Sequence, residues 1–385
     1  MDGPLRDVKV LDVSRILSGP FCTMLLADMG ADVVKVERPP TGDLARRLGP
    51  LIGDDTSYFV SVNRGKRSVG LDIFEKGGRE AFKQLAAKAD VLVENYAPGT
   101  LAQLGLDYAE LARENPRLIY ASITGFGQEG PYAQMPALDA VVQAMGGLMS
   151  VTGELGGAPL RPGVSLGDSL AGLFAALSIT TALYQRSVTG RGQYIDTAML
   201  DCQVTLMENP LGRYFATGEV PGRIGSRHPA AAPFQTFDTT DGQVVVALLS
   251  DDPELWRGFC VAIEHPTLAD DSRFSDNRAR VANRAALEEV LDAAFARQTT
   301  EEWLRRLSAA HIPAGPVTDV GQLAEDPQVV SRRMIAEIPH AQLGTWRVAN
   351  TPFRFSEAET GPAGPSPKLG EHTDAVLADW LGDQA

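Results

Sequence analysis

Relative to its opposite, positive charge is what this sequence has least of: 35 lysines and arginines stand against 49 aspartates and glutamates, a formal charge of −14 at pH 7. That balance argues against non-specific nucleic-acid binding, which needs a broad basic face, so any anionic ligand must be held by a local cluster of cations. Cysteine is scarce too. Cys22, Cys202 and Cys260 lie far apart, with no CxxC pair and no histidine at ligand spacing, so neither a disulfide framework nor a metal site is expected. No stretch reaches the roughly 18 uncharged apolar residues of a membrane span, the longest candidate being Leu170 to Tyr184, and the first residues lack a basic-then-apolar leader pattern. The expectation is a cytoplasmic protein with no membrane or nucleic-acid partner.

What is present is apolar material, 44% of 385 residues, enough for two cores. Strand Lys9 to Val13, a turn, a helix to Met29 closed by Gly30, and strand Ala31 to Glu37 form a first βαβ unit. The alternation continues with a strand from Ser68, helix Arg79 to Ala89, strand Val91 to Glu94, helix Tyr108 to Glu114 and strand Leu118 to Thr124. This predicts an α/β fold with a doubly wound, mainly parallel, Rossmann-like sheet. The loop after the first strand could bring a helix N-terminus to a phosphate, but the GxGxxG fingerprint is missing, which excludes ordinary dinucleotide binding. Asn63 to Arg67, the densest basic cluster, reads either as a solvated face or, with Arg38, as a phosphate partner.

Gly218 to Pro233 has turn chemistry throughout and reads as a linker between a large domain, residues 1–217, and a smaller α+β domain, residues 234–325. The smaller domain opens with a hairpin, Phe234 to Phe237 and Gln243 to Leu249, followed by helical periodicity at Pro253 to Ile263, Arg284 to Phe295 and Glu301 to Ala310, with Thr299 and Thr300 as cap candidates. Residues 326–385 form a mixed return segment ending in a helix near Asp374 to Leu381.

Gly163 to Gly172, Gly-Val-Ser-Leu-Gly-Asp-Ser-Leu-Ala-Gly, sets Asp168 between a glycine-rich approach and a long apolar run. An aspartate there reads as a helix N-cap. The position also suits a nucleophile, because small neighbours admit a substrate and a helix terminus favours the ionised carboxylate. The residues alone leave both readings open.

Several segments in order resemble a known family: Leu-Asp-Val-Ser-Arg-Ile-Leu-Ser-Gly-Pro from Leu11, Gly-Ala-Asp-Val-Val-Lys-Val-Glu-Arg from Gly30, and Asn-Arg-Gly-Lys-Arg-Ser from Asn63. Val-Glu-Asn-Tyr-Ala-Pro-Gly from Val93, the Asp168 segment, Thr-Gly-Arg-Gly-Gln from Thr189 and Leu-Gly-Glu-His-Thr-Asp from Leu369 complete the set. Together they resemble the family III CoA-transferases (CaiB/BaiF family), which include formyl-CoA and carnitine CoA-transferases. The resemblance implies that Asp168 is the nucleophile, carrying first a mixed anhydride and then a CoA thioester. It implies coenzyme A binding by Arg15, Ile16, Leu17, Ser18, Arg38, Leu71, Asn95 and Tyr96. Coenzyme A and acyl-CoA enter as substrates beside a carboxylic acid, and no cofactor is bound permanently. It also implies an interlocked homodimer joined through linkers near Gly218 to Pro233 and Asp326 to Pro352.

Departures narrow the expectation. Leu17 and Leu138 stand where formyl-CoA transferase has Gln and Tyr, which speaks against formate and oxalate specificity. Ser250 to Pro253 is acidic where the family has a glycine-rich covering loop, so no covering loop is assigned. An α-methylacyl-CoA racemase needs a histidine where Ala137-Leu138-Asp139 stands, and the five histidines fall in turns or near prolines, as surface or capping residues. A non-catalytic CoA-binding protein is the third reading. Arg15, Arg161, Arg227 and His228 are candidates for holding the second carboxylate of a dicarboxylic acid.

Overall fold

The computed structural model describes residues 3–382, which fall into two compact units. The first takes residues up to Met149, Arg161–Val220 and residues from Pro327 on; the second takes Ser150–Leu160 and Pro221–Asp326.

In the first unit, strands β1 (Lys9–Asp12), β2 (Asp32–Glu37), β3 (Arg67–Gly70), β4 (Val91–Glu94), β5 (Ile119–Thr124) and β6 (Tyr194–Ala198) form one sheet. Its order is β3-β2-β1-β4-β5-β6 and every pairing is parallel. The predicted mainly parallel sheet is therefore present. Both faces are covered, which is why β4 and β5 are buried along their whole length and read as near-continuous apolar runs. One face packs Val10, Val33, Val91, Val93 and Ala121 against α1 (Ser18–Asp28), α2 (Asp139–Met145), α3 (Leu166–Thr189) and α4 (Met199–Leu206). The other packs Leu11, Val34 and Leu92 against helices Lys76–Lys88 and Tyr108–Glu114 and against α5 (Thr373–Leu381). Chain order reverses between β1 and β4, so a crevice opens there beyond the carboxyl ends of the strands.

Helix α3 is long and apolar enough to cross a membrane by length and composition, with a mean hydropathy of 1.5 over its best window. The predicted run stops at Tyr184 because Gln185 and Arg186 follow it in sequence; inside it Thr180 and Thr181 turn their hydroxyls onto the Leu177 carbonyl. Its small residues Ala171, Gly172, Ala175 and Ala176 face the core, and the approach to α1 is close. A methyl group on Gly172 would lie 2.6 Å from the Ser18 carbonyl oxygen and 3.2 Å from the Cys22 nitrogen.

The outer edge of β3 is closed by the return segment. His372 exchanges backbone and ring hydrogen bonds with Ser68, and the Thr373 hydroxyl accepts the Gly70 N–H at 3.0 Å. A hairpin of β10 (Ile335–His340) and β11 (Gly344–Ala349) also belongs to this unit.

The second unit has a three-stranded antiparallel sheet, β7 (Phe234–Asp238), β8 (Gln243–Ala247) and β9 (Ala314–Pro316), in the order β9-β8-β7. The first two are the hairpin expected from alternation. The third, Ala-Gly-Pro, carries no strand signal and pairs because the chain returns beside Val244 to Val246. Thr299 caps helix Thr300–Ala309 through the Glu302 N–H, and the stacked rings of Phe237 and Phe295 are 4.5 Å apart in the core.

Candidate active site

β1 feeds the loop that builds the site. Asp12, at its end, is fully buried: one carboxylate oxygen accepts the Ser14 N–H and hydroxyl, the other the Thr23 hydroxyl and the Lys66 ammonium at 3.0 Å. Burial alone would raise this carboxyl, but Lys66 and Lys35 hold it far below its ordinary range. Lys35 donates to the Ser14 carbonyl and pairs with Asp43 at 3.0 Å. Asp43 in turn accepts the Ile16 N–H at 3.0 and 3.2 Å. That clamp matters because Ile16 has φ +68°, a backbone state that a β-branched side chain adopts only when its surroundings impose it.

From the other side Asn95, just past β4, accepts the Arg15 N–H and donates to the Arg15 carbonyl and the Ser18 hydroxyl. The loop from Arg15 to Ser18 is thus fixed on both flanks of the crevice at the chain reversal. Beyond it Arg15 lies over the Tyr96 ring at 4.3 Å, Tyr96 meets Phe74 edge-on at 6.4 Å, and Arg38 lies over Phe74 at 5.4 Å.

Asp168 is the third residue of α3, whose N-cap is Ser165, so the N-cap reading is corrected: the carboxylate sits inside the first turn and caps nothing. The Ser18 hydroxyl favours its ionised form, and Asp139 and Arg161 are its charged neighbours. Burial, then the Asp139 charge, push it up to about 6, against the opposing pull of Ser18 and Arg161. The helix terminus was expected to hold this acid low; burial and a second carboxylate outweigh it. At pH 7 it is still roughly nine-tenths ionised.

Arg15, Ile16, Leu17, Ser18, Asn95, Tyr96 and Asp168, all named from sequence, line one cavity of about 400 Å³ at this crevice. Arg38 and Leu71 do not line it. Arg38 pairs with Asp72 at 2.8 Å at the far end of the aromatic path, and Leu71 packs at the rim of the core on the opposite sheet face. None of the five histidines lines the cavity, and Leu138, where a racemase would need one, does. The expectation that the histidines lie at the surface fails at His340, which is buried in the β10–β11 hairpin, where its ring nitrogen accepts two backbone N–H groups.

The basic cluster is likewise corrected. Arg64 is buried against Asp28 at 2.7 Å, Lys66 against Asp12, and Arg67 is paired with Asp32 and Asp379, so its charges are spent inside the chain rather than offered to phosphates. Sequence reasoning gave no role to Asp43, Lys35 or Gln143, and used Asp139 only to mark a missing histidine; the contacts that tie Asp43 to Ile16, Lys35 to Ser14 and Asp139 to Gly167 span 21 to 28 residues. Among the described residues no group of three or more His, Cys, Asp or Glu is arranged to hold a metal ion.

A carboxylate held half-buried beside a cavity, with an aromatic-cationic path leading away from it, suits acyl transfer from a long anionic thioester. Comparison with known proteins is decisive: the profile of CoA-transferase family III matches residues 5–373. The chain belongs to CoA-transferase family III. It is a CoA-transferase, as are its curated relatives. The acetyl-CoA:oxalate CoA-transferase of Acetobacter aceti is 40% identical across 100% of this chain and 97% of its own. The human succinyl-CoA:glutarate CoA-transferase is 38% identical across 98% of this chain and 86% of its own. Among solved structures, a CaiB/BaiF family protein from Brucella suis superposes with a TM-score of 0.89 at 39% identity, covering 99% of this chain and 100% of that one. The family expectation and the α/β fold expectation are both met.

Proposed function

We propose that the protein moves CoA between an acyl-CoA donor and a carboxylic acid through covalent intermediates on Asp168. The Asp168 carboxylate attacks the thioester carbonyl, forming a mixed anhydride and expelling CoA thiolate. The thiolate attacks the aspartyl carbonyl, breaks its bond to the bridging oxygen and frees the donor acid. The acceptor carboxylate attacks the aspartyl-CoA thioester, and a second exchange returns the thiolate to the acceptor's carbonyl and regenerates Asp168. Each step trades one activated acyl bond for another, so no external energy source is needed.

The observation that carries this reading is a half-buried aspartate with a raised pKa facing a cavity free of histidine. A racemase would need a second proton carrier there. Coenzyme A is assigned to the loop Arg15 to Ser18 and to Asn95 and Tyr96, with Leu71 and Arg38 at the outer end, where Arg38 meets a phosphate by exchanging Asp72 for it.

The acid is proposed to be dicarboxylic. The relatives' names include oxalate, glutarate, mesaconate and malate. Oxalate among them removes the force of the Leu17 and Leu138 argument against that acid. Of the four candidate cations, Arg227 is engaged by Glu288 at 2.7 Å, His228 stacks on Phe234 and Arg161 pairs with Asp139 at 2.8 Å. Arg15 lines the Asp168 cavity and has no carboxylate partner among the described residues, which supports it as the holder of the distal carboxylate.

A homodimer is part of the reading. Leu173, Leu177, Tyr184 and Val188 lie exposed along α3, and helix Glu208–Thr217 buries none of its residues although it carries Tyr214 and Phe215. Three buried, unpaired cysteine thiols suit a reducing cytoplasm.

The test is trapping. With acyl-CoA, hydroxylamine should convert Asp168 to a hydroxamate and borohydride should reduce it, while Asp168→Ala should show neither adduct nor turnover. Turnover by Asp168→Ala would end this assignment; sedimentation as a monomer at micromolar concentration would end the dimer.

A further inference from the structure

Asp139 stands 28 residues before the first turn of α3 and touches it. One carboxylate oxygen accepts the Gly167 N–H at 2.9 Å and lies 3.4 Å from the Asp168 nitrogen; the other accepts Arg161 at 2.8 Å and the Gln143 side-chain amide at 2.7 Å. The residue is 8% exposed. Its fit is tight, since a methyl group on Gly167 would stand 3.0 Å from the same oxygen.

We infer that Asp139 is a positioning residue for the nucleophile: it occupies free N–H groups at the start of α3 so that the Asp168 carboxylate keeps its lone pairs for the thioester. An aspartate at the third helical position can turn back onto the N–H groups of its own helix start, and a carboxylate so satisfied is a poor nucleophile. Here a second acid fills that role from another helix. Its negative charge also denies Asp168 the full stabilisation of a helix N-terminus, which makes Asp168 more basic, the direction in which its pKa is displaced. Arg161 and Gln143 hold Asp139 in place, and Arg161 offsets its charge.

The groups that act on Asp168 are Ser18 from α1, Asp139 from α2 and Arg161 from the approach to α3. Arg15, Thr124 from the end of β5 and the apolar Met199 from α4 line the same cavity, and Tyr58 from helix Ser57–Asn63 is within reach of its charge. Asp139 and Arg161 are the two charged groups that shift Asp168, so their removal should have opposite effects.

The inference rests on Asp168 as nucleophile, and the experiment separates the two ideas. The pH profile of kcat/KM is measured for the intact protein and for Asp139→Asn, Arg161→Gln and Asp168→Ala, with thermal unfolding as a check on folding. Asp139→Asn keeps an acceptor for Gly167 but loses the charge; its acid limb should move down by roughly one pH unit and its kcat should fall roughly 10- to 100-fold. Arg161→Gln should move the acid limb up. If Asp139→Asn does not fold, the upward shift in Arg161→Gln carries the test, and no shift there overturns the inference. Acid limbs that stay put in folded variants, with Asp168→Ala inactive, overturn the positioning role alone. Turnover by Asp168→Ala overturns both ideas.

Discussion

Gly172 and Ser18 meet so closely that the Ser18 carbonyl oxygen stands 2.6 Å from where a Gly172 side chain would begin. Ser18 is also the residue whose hydroxyl favours the ionised form of Asp168, one turn before Gly172 on α3. The distance between two helices therefore sets the distance between a hydroxyl and the proposed nucleophile. Gly172→Ala should push α1 and α3 apart, costing about 1–3 kcal/mol of stability. It should also lower kcat more than it raises KM for acyl-CoA, since the loop proposed to hold CoA stays pinned by Asp43 and Asn95. Chemical denaturation and steady-state kinetics read the two effects separately.

Asp168 should be a liability to the fold at neutral pH. Its carboxyl is raised in the folded chain, from 3.8 to about 6, so ionisation costs stability: the cost is absent below pH 4, grows between pH 4 and 6 and is complete above 6. Asp168→Asn should unfold at a higher temperature than the native protein at pH 7–8. The gain has a ceiling of about 3 kcal/mol and an expected size of ~1–2 kcal/mol. Melting curves at pH 4 and pH 8 test the sign, because the gain must shrink at the lower pH.

Asp43→Ala should be among the most damaging substitutions outside the cavity. It leaves Lys35, fully buried, with one neutral hydrogen-bond acceptor and only the more distant charges of Asp12 and Glu37, and frees Ile16 from its strained conformation. A loss of about 3–5 kcal/mol is expected. Joint replacement of Lys35 and Asp43 by Met and Leu should recover part of that stability without recovering acyl-CoA affinity, because the Ile16 N–H remains unheld. Denaturant midpoints and equilibrium CoA binding distinguish the two losses.

Arg15→Gln should discriminate between acids. With succinate or glutarate as acceptor, KM should rise roughly 10- to 100-fold, whereas a monocarboxylate of similar length should be used almost as before. Equal losses on both classes would remove Arg15 from acid selection and leave it with CoA.

The sheet was legible because alternating apolar runs and helical periods leave little choice but a parallel, doubly covered sheet, whereas the loop after β1 and the Asn95-Tyr96 pair were named together only through the family resemblance, since strand order at the β1/β4 reversal is not written in local patterns. The basic cluster was not legible. Arg64, Lys66 and Arg67 are consecutive in all but one position, yet each meets a different aspartate, Asp28, Asp12 and Asp32, more than 30 residues upstream. Linear spacing shows where charge is concentrated and says nothing of where its opposite is buried. Asp139 escaped for a related reason: besides Arg161 and Gln143 it meets backbone N–H groups on another helix, and backbone leaves no mark in composition.

The closure of β3 by His372 and Thr373 has a consequence for how the protein comes into being. Six strands are synthesised before residue 200, but the hydrogen-bonding groups on the last of them in space wait for residues made some 300 positions after it. Until then the nascent sheet presents an open template to any extended chain nearby. A message truncated shortly before His372 would yield a polypeptide that contains every proposed catalytic group and yet precipitates, a failure of seal rather than of chemistry.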